Sequence, residues 1–443
     1  MSPRAAQADF LWPAAPPPLD AAFFAFLFQL ERTQWWSAER LRAYQLLQLS
    51  TLVAHAAEHV PFYKDRLKDL KGLGAGGLSD EMFNALPILT RTEAVQAGDA
   101  LASRAPPKGH GTPRMLTTSG SSGTPFQFTR TQLDGLVAAA LVQRGHLWHR
   151  RNMTLAHVTI ARPDAGGAGQ RDAWSQFMPT GPAHLLDLAR PADALLSEIV
   201  ALAPGYLSVW PSLLAEMLRL SAETGARPEG LQQVLTYGET VPPGLAALCE
   251  QVWGAALVDA YSCEEIGGLA LQCPHGNMHI QSEHALVEVL DDANRPCAVG
   301  ETGRVVATNL HNFATPTIRM ELGDLATVGA PCACGRGLPV LARVDGRVRD
   351  LLTLPDGRRI MPSFDEVRIS AAAPSLRQFQ LAQLADGRIE ARIIAAAPLS
   401  PAEEAALAQA FNNGFGHWFD ITFRSVNAID RAPGGKTRRW VAG

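Results

Sequence analysis

The apolar residues of the first 100 positions follow the spacing of amphipathic helices. One apolar face is formed by Leu49, Leu52, Val53 and Ala56, and Pro61 is expected to end that helix. An earlier apolar run, residues 21–28, is far shorter than the roughly 20 residues that a membrane span needs. We interpret it as a core-facing helix, so the N-terminal region is predicted to be helical.

The middle of the chain alternates between strand-like and helical patterns. Residues 154–160 predict a buried strand and residues 213–220 a helix, which is typical of α/β units with a largely parallel sheet. From residue 287 to residue 328 the pattern changes. Residues 287–289 and 304–308 predict strands next to turns at 291–292 and 300–303, which indicates a β-rich part.

The last part of the chain begins with the segment 345–350. Beyond it, residues 379–384 and 390–394 predict two strands around a turn at 385–387. Ser400, Pro401 and Glu403 form the sequence pattern of a helix start. These elements predict a compact α+β lid domain.

The patterns together predict an α/β protein. We expect a large N-terminal domain of parallel-rich sheets at residues 1–345, with a helical start at 1–100 and a β-rich part at about 270–340. A hinge is expected at 346–350, followed by a small mobile α+β C-terminal lid domain at 351–443.

Composition narrows the class of protein. The 443 residues are 47% hydrophobic and 19% charged, which is typical of a globular chain of more than one domain. The net charge of -4 and the lack of a basic block argue against nucleic-acid binding. With no recognisable secretory signal we expect a cytoplasmic enzyme that does not act at a membrane. Six cysteines in such a chain do not suggest a disulfide framework.

The most distinctive segment is a loop of small residues. It comprises Thr117, Thr118, Ser119, Gly120, Ser121, Ser122, Gly123 and Thr124, followed by Pro125. Hydroxyls and exposed backbone N–H groups suit the oxygens of a polyphosphate. The spacing is not that of a Walker loop. The alternative interpretation is a flexible surface linker.

Further polar segments follow this loop along the chain. Residues 236–240 and 259–265 each follow a predicted strand, which is where ligands of open α/β sheets bind. Residues 318–324, 346–347 and 433–436 complete the series. Any one of these segments is also compatible with an ordinary loop, so their order and spacing are more informative than any single segment.

The ordered series resembles the adenylate-forming superfamily, and within it the phenylacetate–coenzyme A ligase group with its capsule-biosynthesis-type relatives. The finer likeness rests on residues 60–64, 86–91 and 210–212 and on the cysteine-bearing segments around 273 and 332. The resemblance runs from about residue 45 to the end. It implies an AMP-forming acid–thiol ligase. In such an enzyme a carboxylate attacks the α-phosphorus of ATP, pyrophosphate leaves, and coenzyme A displaces AMP from the acyl-adenylate.

The resemblance also implies roles for individual residues. The segment 117–124 would hold the β- and γ-phosphates. The adenine would be framed by Gly238, Glu239, Thr240 and Tyr261. Glu265 would lie beside Mg²⁺, a cation that prefers oxygen ligands, and Asp324 would accept hydrogen bonds from the ribose. Arg347 would lie near ribose and phosphates. Lys436 would bridge the attacking carboxylate and the α-phosphate. The acid is expected near His157, Trp210 and Tyr237, whose aromatic side chains favour an aryl acid.

Some positions depart from the pattern of the superfamily. Glu264 stands where threonine is usual, and Arg349 where aspartate or lysine is usual. The glycine-rich strand of the coenzyme A tunnel is represented only by residues 356–359. Alternative acceptors therefore stay open: an amine, a hydroxyl or a carrier-protein thiol. A non-catalytic nucleotide-binding relative is a further alternative. Phenylacetate-type relatives commonly dimerise, so a homodimer is also considered.

Two cysteine-containing segments predict a structural zinc site. The expected ligands are Cys273, His279, Cys332 and Cys334, with His275 as the alternative imidazole. Two or three thiolates with imidazole in a tetrahedral set suit Zn²⁺. Four protein ligands would leave no open position, hence the structural role. The alternative interpretation is that these are free buried cysteines.

Overall fold

A computed structural model describes residues 6, 14–117, 126–163, 167–354, 356–384, 387–429 and 438–441. The chain forms two compact units. The first contains Met1–Arg151 and Ala260–Asp345, and the second contains Asn152–Asp259 and Gly346–Gly443. Among the residues described, no helix has both the length and the apolar character needed to cross a membrane.

The elements are numbered in chain order. The α-helices of the described ranges are α1 (Pro18–Thr33), α2 (Ala38–His59), α3 (Asp80–Asn84), α4 (Arg91–Ala97), α5 (Gln132–Trp148), α6 (Ala192–Leu202), α7 (Pro211–Thr224), α8 (Leu245–Trp253), α9 (Glu366–Ala372) and α10 (Pro401–Phe415). The strands are β1 (Arg114–Thr117), β2 (Gln127–Arg130), β3 (His157–Ala161), β4 (Gly169–Arg171), β5 (Ala183–Asp187), β6 (Tyr206–Val209), β7 (Gln233–Tyr237), β8 (Ala256–Cys263), β9 (Gly267–Gln272), β10 (Met278–Ile280), β11 (Ala285–Leu290), β12 (Thr302–Asn309), β13 (Met320–Val328), β14 (Val340–Arg347), β15 (Leu352–Thr353), β16 (Arg359–Ile360), β17 (Leu376–Gln383), β18 (Ile389–Ala395), β19 (Ile421–Ser425) and β20 (Trp440–Val441).

The first unit begins with the predicted helices. In α1 the buried residues are Phe23, Leu27 and Leu30, spaced as one face of a helix. The run 21–28 is thus a core-facing helix, as predicted. In α2 the side chain of Ser37 accepts a hydrogen bond from the N–H of Arg40, and the helix ends at His59 just before Pro61. The predicted apolar face of α2 is fully buried.

The strands of the β-rich part of the first unit lie side by side in one sheet. Its strands lie in the order β11-β12-β13-β14-β10-β9, with the end of β8 beside β9. The described pairs of β11 with β12, β12 with β13, β10 with β14 and β8 with β9 are antiparallel. Reversals of chain direction pair strands that are consecutive in the chain, and the pairing of β10 with β14 brings segments distant in sequence into the same sheet.

The second unit contains the predicted parallel sheet. Its strands lie in the order β7-β6-β3-β5-β4, and the described pairs are parallel except β4 with β5. Strand β3 begins at His157, three residues later than the predicted strand. The reason is local, since the Asn152 side chain accepts hydrogen bonds from the N–H and hydroxyl of Thr154 and forms a turn there.

A second sheet of this unit has the order β19-β18-β17-β20. Strands β17 and β18 are the two strands predicted near the C-terminus. The predicted helix start is also confirmed, because Ser400 and Glu403 form a capping box at α10. Rings of Phe364, Phe379 and Phe411 meet in the core of this region at centroid distances of 5.0–6.0 Å.

A buried carboxylate connects the two parts of the second unit. Glu366 of α9 is fully buried and contacts the guanidinium groups of Arg219 and Arg439. Arg219 also donates to the carbonyl of Arg377 at 3.1 Å. A buried charge of this kind needs such partners to offset its loss of hydration. The predicted domain division and the mobility of the C-terminal domain stay predictions.

Candidate active site

In the first unit, Tyr261 and Asp324 form a buried pair. Tyr261 lies on β8 and Asp324 on β13, and the tyrosine hydroxyl donates to Oδ2 of the carboxylate at 2.6 Å. Both residues are less than a tenth exposed. A short hydrogen bond to a carboxylate is strong and directional. The structure therefore brings together two residues that the sequence placed in one nucleotide site.

The position of Tyr261 differs from the expectation in one respect. Residues 259–265 were predicted to follow a strand, but β8 continues to Cys263. The extension is caused by β9, which folds back and pairs antiparallel with the end of β8. The register shifts between Tyr261 and Ser262, and such bulges reorient side chains at the edges of sites.

Glu265 lies in the turn between β8 and β9. The residue is buried, and its carboxylate forms an ion pair with Arg91, the first residue of α4. The neighbouring Glu264 is exposed, so this additional carboxylate is directed away from the buried interior. Burial raises the pKa of Cys263 to about 12, which keeps this thiol protonated and non-nucleophilic.

The small-residue loop is only partly described. Thr117 is the last residue of β1 and pairs with Gln127 of β2. The positions Thr118, Ser119, Gly120, Ser121, Ser122, Gly123 and Thr124 lie outside the described residues. Lys436 lies outside them as well.

In the second unit, Gly238 and Glu239 follow β7. Gly238 has φ +79°, and a Cβ at this position would lie 3.0 Å from the indole nitrogen of Trp210. The close approach of the ring therefore requires glycine. Glu239 accepts a hydrogen bond from the N–H of Ser212 at 3.0 Å, while Thr240 is exposed. These contacts hold the segments 210–212 and 238–239 together.

Of the residues expected near the acid, His157 and Tyr237 lie on strands β3 and β7 of the second unit, and Trp210 immediately precedes α7. His157 Nε2 is 2.8 Å from the hydroxyl of Ser208, and its ring meets that of Trp174 at 5.2 Å. The hydroxyl of Tyr237 donates to the carbonyl of Ile160 at 2.7 Å. Burial raises the pKa of Tyr237 to about 12, so it stays protonated and serves as a structural donor.

The C-terminal residues next to Lys436 in sequence are held by the second unit. Arg438 donates to Asp350 at 2.5 Å, and Trp440 and Val441 pair in parallel with β17. Arg347 is the last residue of β14. The assigned roles of Arg347 and Lys436 stay predictions.

The four predicted metal ligands come together in the first unit. The ligand atoms of Cys273, His279, Cys332 and Cys334 all lie within 4.8 Å of one another. Cys273 Sγ is 3.8 Å from Cys332 Sγ, and Cys334 Sγ is 3.2 Å from His279 Nε2. Two sulfurs bound to tetrahedral zinc are about 3.8 Å apart, given Zn–S bonds of about 2.3 Å. The spacing therefore fits zinc.

The surroundings also prepare these side chains for a metal. His279 Nδ1 is 3.1 Å from the carbonyl of Leu338. Since a carbonyl only accepts, Nδ1 carries the proton and Nε2 is left as the ligand atom. The alternative imidazole, His275, is exposed and is not part of the cluster found among the described residues.

Two turns of the same kind carry the three cysteines. The N–H of Gly276 donates to the carbonyl of Cys273, and the N–H of Gly335 donates to the carbonyl of Cys332. Both glycines have φ +82°, a conformation that favours glycine. Cys332 Sγ also accepts from the N–H of Cys334 at 3.4 Å. The second turn thus directs an N–H group toward the sulfur of Cys332, which suits a thiolate.

The fold is the one found in adenylate-forming coenzyme A ligases. A solved structure of 2-hydroxyisobutyryl-CoA ligase, in the postadenylation state with R3-HIB-AMP, matches with a TM-score of 0.73 at 20% identity. The match covers 93% of this chain and 92% of that one. This similarity establishes the shared fold.

Two curated relatives indicate which class of coenzyme A ligase the chain resembles. A phenylacetate–coenzyme A ligase of Thermus thermophilus is 27% identical over 380 residues, which is 80% of each chain. A phenylacetate–coenzyme A ligase of Aromatoleum evansii is 24% identical over 439 residues, covering 93% of this chain and 96% of that one. No family model matches the chain. These relatives confirm the predicted resemblance and the predicted class, an AMP-forming acid–thiol ligase.

Several residues near Glu265 had no role predicted from the sequence. Arg91 was used only as part of the resemblance, yet it pairs with the Glu265 carboxylate. Arg130, His284 and Asn309 contact the backbone on either side of Glu265. Of these, His284 and Asn309 are fully buried, and the polar Asn309 directly after the predicted apolar strand 304–308 was the available signal, because buried polar groups need partners.

Proposed function

We propose that this protein is an ATP-dependent ligase that joins a carboxylic acid to coenzyme A. The acid oxygen attacks the α-phosphorus of ATP, and the bond to the β-phosphate oxygen breaks as pyrophosphate leaves. The thiolate of coenzyme A then attacks the acyl carbon, and AMP leaves. The observation that carries the proposal is similarity to phenylacetate–coenzyme A ligases over 80–93% of the chain.

The buried pair of Tyr261 and Asp324 supports a ribose and adenine site. The Tyr261 hydroxyl fixes one carboxylate oxygen of Asp324, and a carboxylate is a good acceptor for ribose hydroxyls. We assign adenine contacts to the Tyr261 ring and to Gly238, Glu239 and Thr240. The loop 117–124 and Arg347 would contact phosphates, and Lys436 would contact the attacking carboxylate and the α-phosphate.

Glu265 is suited to be the single acidic partner of Mg²⁺. The donor is a carboxylate, which is the ligand type that Mg²⁺ takes from proteins when substrate phosphates supply the rest. Its carboxylate also forms an ion pair with Arg91 through Oε1, and it would supply an oxygen ligand to the cation. Bound Mg²⁺ would offset negative charge on the phosphates.

We further propose that Cys273, His279, Cys332 and Cys334 bind a structural Zn²⁺. The sulfur–sulfur and sulfur–nitrogen spacings support this assignment, and so does the partner of His279 Nδ1. Four protein ligands complete a tetrahedral set. A homodimer and a cytoplasmic location stay predictions.

The proposed acid is aromatic. The curated relatives are named for phenylacetate, and the segment around His157 presents rings of Trp174 and Tyr206 at 5.2–6.3 Å. Aromatic walls favour planar substrates through edge and face contacts. Phenylacetate and substituted aryl acids are therefore the first candidates.

Acid-dependent release of pyrophosphate tests the proposed function. The purified protein is incubated with ATP, Mg²⁺ and a panel of aryl and fatty acids, with and without coenzyme A. Release with an aryl acid, increased by coenzyme A, is the expected result. Suppose that pyrophosphate release increases with an amine, a hydroxyl compound or a carrier protein but not with coenzyme A. That compound, and not coenzyme A, would then be the acceptor. Bound ATP without release for any acid would indicate a non-catalytic relative.

Asp324→Ala is expected to raise the KM for ATP about 10- to 100-fold, since hydrogen bonds to charged groups contribute about 1.5–3 kcal/mol. Tyr261→Phe keeps the ring and removes the hydroxyl, so a smaller rise is expected. Initial rates of pyrophosphate release at varied ATP measure both effects. Asp292→Ala, in an exposed turn, is the control. An unchanged KM in Asp324→Ala would contradict the ribose assignment.

A further inference from the structure

Glu265 lies between two peptide carbonyls that are held by side chains distant in sequence. On one side, Arg130 Nη2 donates to the carbonyl of Glu264 at 3.0 Å. On the other side, Asn309 Nδ2 donates to the carbonyl of Ile266 at 3.1 Å. The peptide units Glu264–Glu265 and Ile266–Gly267 are therefore both held by side chains from outside the turn.

A buried carboxylate joins these two donors. Asp134 of α5 is fully buried, and its Oδ1 accepts from Asn309 Nδ2 at 3.0 Å. Its Oδ2 lies 3.5 Å from Arg130 Nε. The contacts form a closed ring that runs through Arg130, Asp134 and Asn309 and returns along the backbone through Glu265. Removing one member of such a buried ring leaves the others unpaired, which is costly.

His284 adds a third donor to the same turn. The ring is fully buried, and Nε2 is 2.9 Å from the carbonyl of Ile266. Since a carbonyl only accepts hydrogen bonds, Nε2 carries a proton. Burial lowers the pKa of His284, so the ring is neutral. The carbonyl of Ile266 thus receives two donors, one from His284 and one from Asn309.

Gly267 allows the donors to approach the turn closely. Its φ is +107°, and a Cβ would lie 3.2 Å from His284 Nε2 and 3.3 Å from Arg130 Nη2. Both the backbone conformation and the space therefore favour glycine at this position. The backbone conformation of Gly267 and the side-chain donors therefore stabilise the same conformation of the turn that carries Glu265.

We propose that Arg130, Asn309 and His284 are positioning residues that hold Glu265 in the orientation required for Mg²⁺ bound with ATP. The proposal rests on the proposed function, in which Glu265 is the acidic partner of the cation. Arg130 is also the last residue of β2, the strand that follows the loop 117–124. One guanidinium therefore connects the strand after the predicted phosphate loop with the turn that carries the carboxylate.

Calorimetric titration of ATP, once with Mg²⁺ and once with EDTA, tests the proposal without turnover. Mg²⁺ is expected to increase the ATP affinity of the wild type. His284→Met keeps the side-chain length but removes the donor, and should reduce this increase about fivefold. His284→Gln places an amide N–H close to the former Nε2 and should restore the increase to within about twofold of the wild type.

His311→Met is the matched control. His311 lies beside His284 with ring centroids 6.1 Å apart, and its Nε2 is 2.7 Å from the carbonyl of Glu283, outside the turn. Its replacement should leave the Mg²⁺-dependent increase unchanged. Glu265→Gln, which removes the negative charge, defines complete loss of the increase.

The proposal is overturned if His284→Met behaves as the wild type, or if His284→Met and His311→Met lose the increase equally as their thermal stability falls. It is also overturned if the wild type shows no Mg²⁺-dependent increase, or if Glu265→Gln retains it. Failure of the proposed function would give a different pair of results. In that case Mg²⁺ strengthens ATP binding as expected, but no acid causes pyrophosphate release.

Discussion

Lys436→Ala is expected to lower the rate of acyl-adenylate formation by a factor of about 10²–10³ while ATP binds with nearly wild-type affinity. The physical reason is that the ammonium group would stabilise negative charge that develops as the carboxylate attacks the α-phosphorus. The adenine, ribose and metal contacts proposed here do not involve it. Acid-dependent exchange of pyrophosphate into ATP measures the first quantity, and calorimetric titration with ATP measures the second.

The surroundings of Lys436 in sequence make this variant informative. Arg438 is paired with Asp350, and the following residues join β17, so the chain end should remain in place when the lysine side chain is shortened. Arg424→Ala, which removes a largely exposed cation from β19, is the control and should retain activity. An unchanged rate of adenylate formation in Lys436→Ala would refute the assigned role.

Cys332→Ser is expected to remove bound zinc and to lower the thermal unfolding midpoint together. A serine hydroxyl is a much poorer zinc ligand than a thiolate, and loss of the metal removes binding free energy that stabilises the folded state. For a unit of 150–250 residues each kcal/mol corresponds to about 2–4 °C, so a fall of several degrees is expected. Mass spectrometry of the metal content and calorimetric melting measure the two effects.

Cys249→Ser is the control that separates destabilisation through loss of zinc from the destabilisation caused by altering any buried thiol. Cys249 is fully buried on α8, and burial raises its pKa to about 12. Its replacement should reduce stability without changing zinc content. Freshly purified wild type is expected to carry one equivalent of zinc, and less than about half an equivalent would contradict the site.

Local features of the fold could be predicted because they depend on nearby residues. Periodicity placed α2, and the Ser400–Glu403 pattern placed the start of α10, since both depend on contacts within a few residues. The end of β8 was misplaced because it depends on pairing with β9. The extent of a strand is decided by its partner, which a local pattern does not contain.

The candidate site could be predicted only in part for the same reason. The cysteine-bearing segments indicated the metal ligands, His279 included, but not the pairing of β10 with β14 that positions His279. Arg91 and Glu265 are 174 residues apart, and no periodicity connects them. Such pairs arise from tertiary packing of buried polar groups.

The proposed zinc site of Cys273, His279, Cys332 and Cys334 also bears on the order of folding during synthesis. Its sulfurs at positions 273 and 332 are 59 residues apart, and His279 is placed by a strand that pairs beyond Cys334. A metal held by all four side chains cannot be fully coordinated until this stretch has left the ribosome and β14 has joined the sheet. Metal uptake is then a late step of folding, because the long loop must close first. In cells short of zinc, newly made chains would therefore accumulate at this stage, whereas chains that already hold the metal would persist.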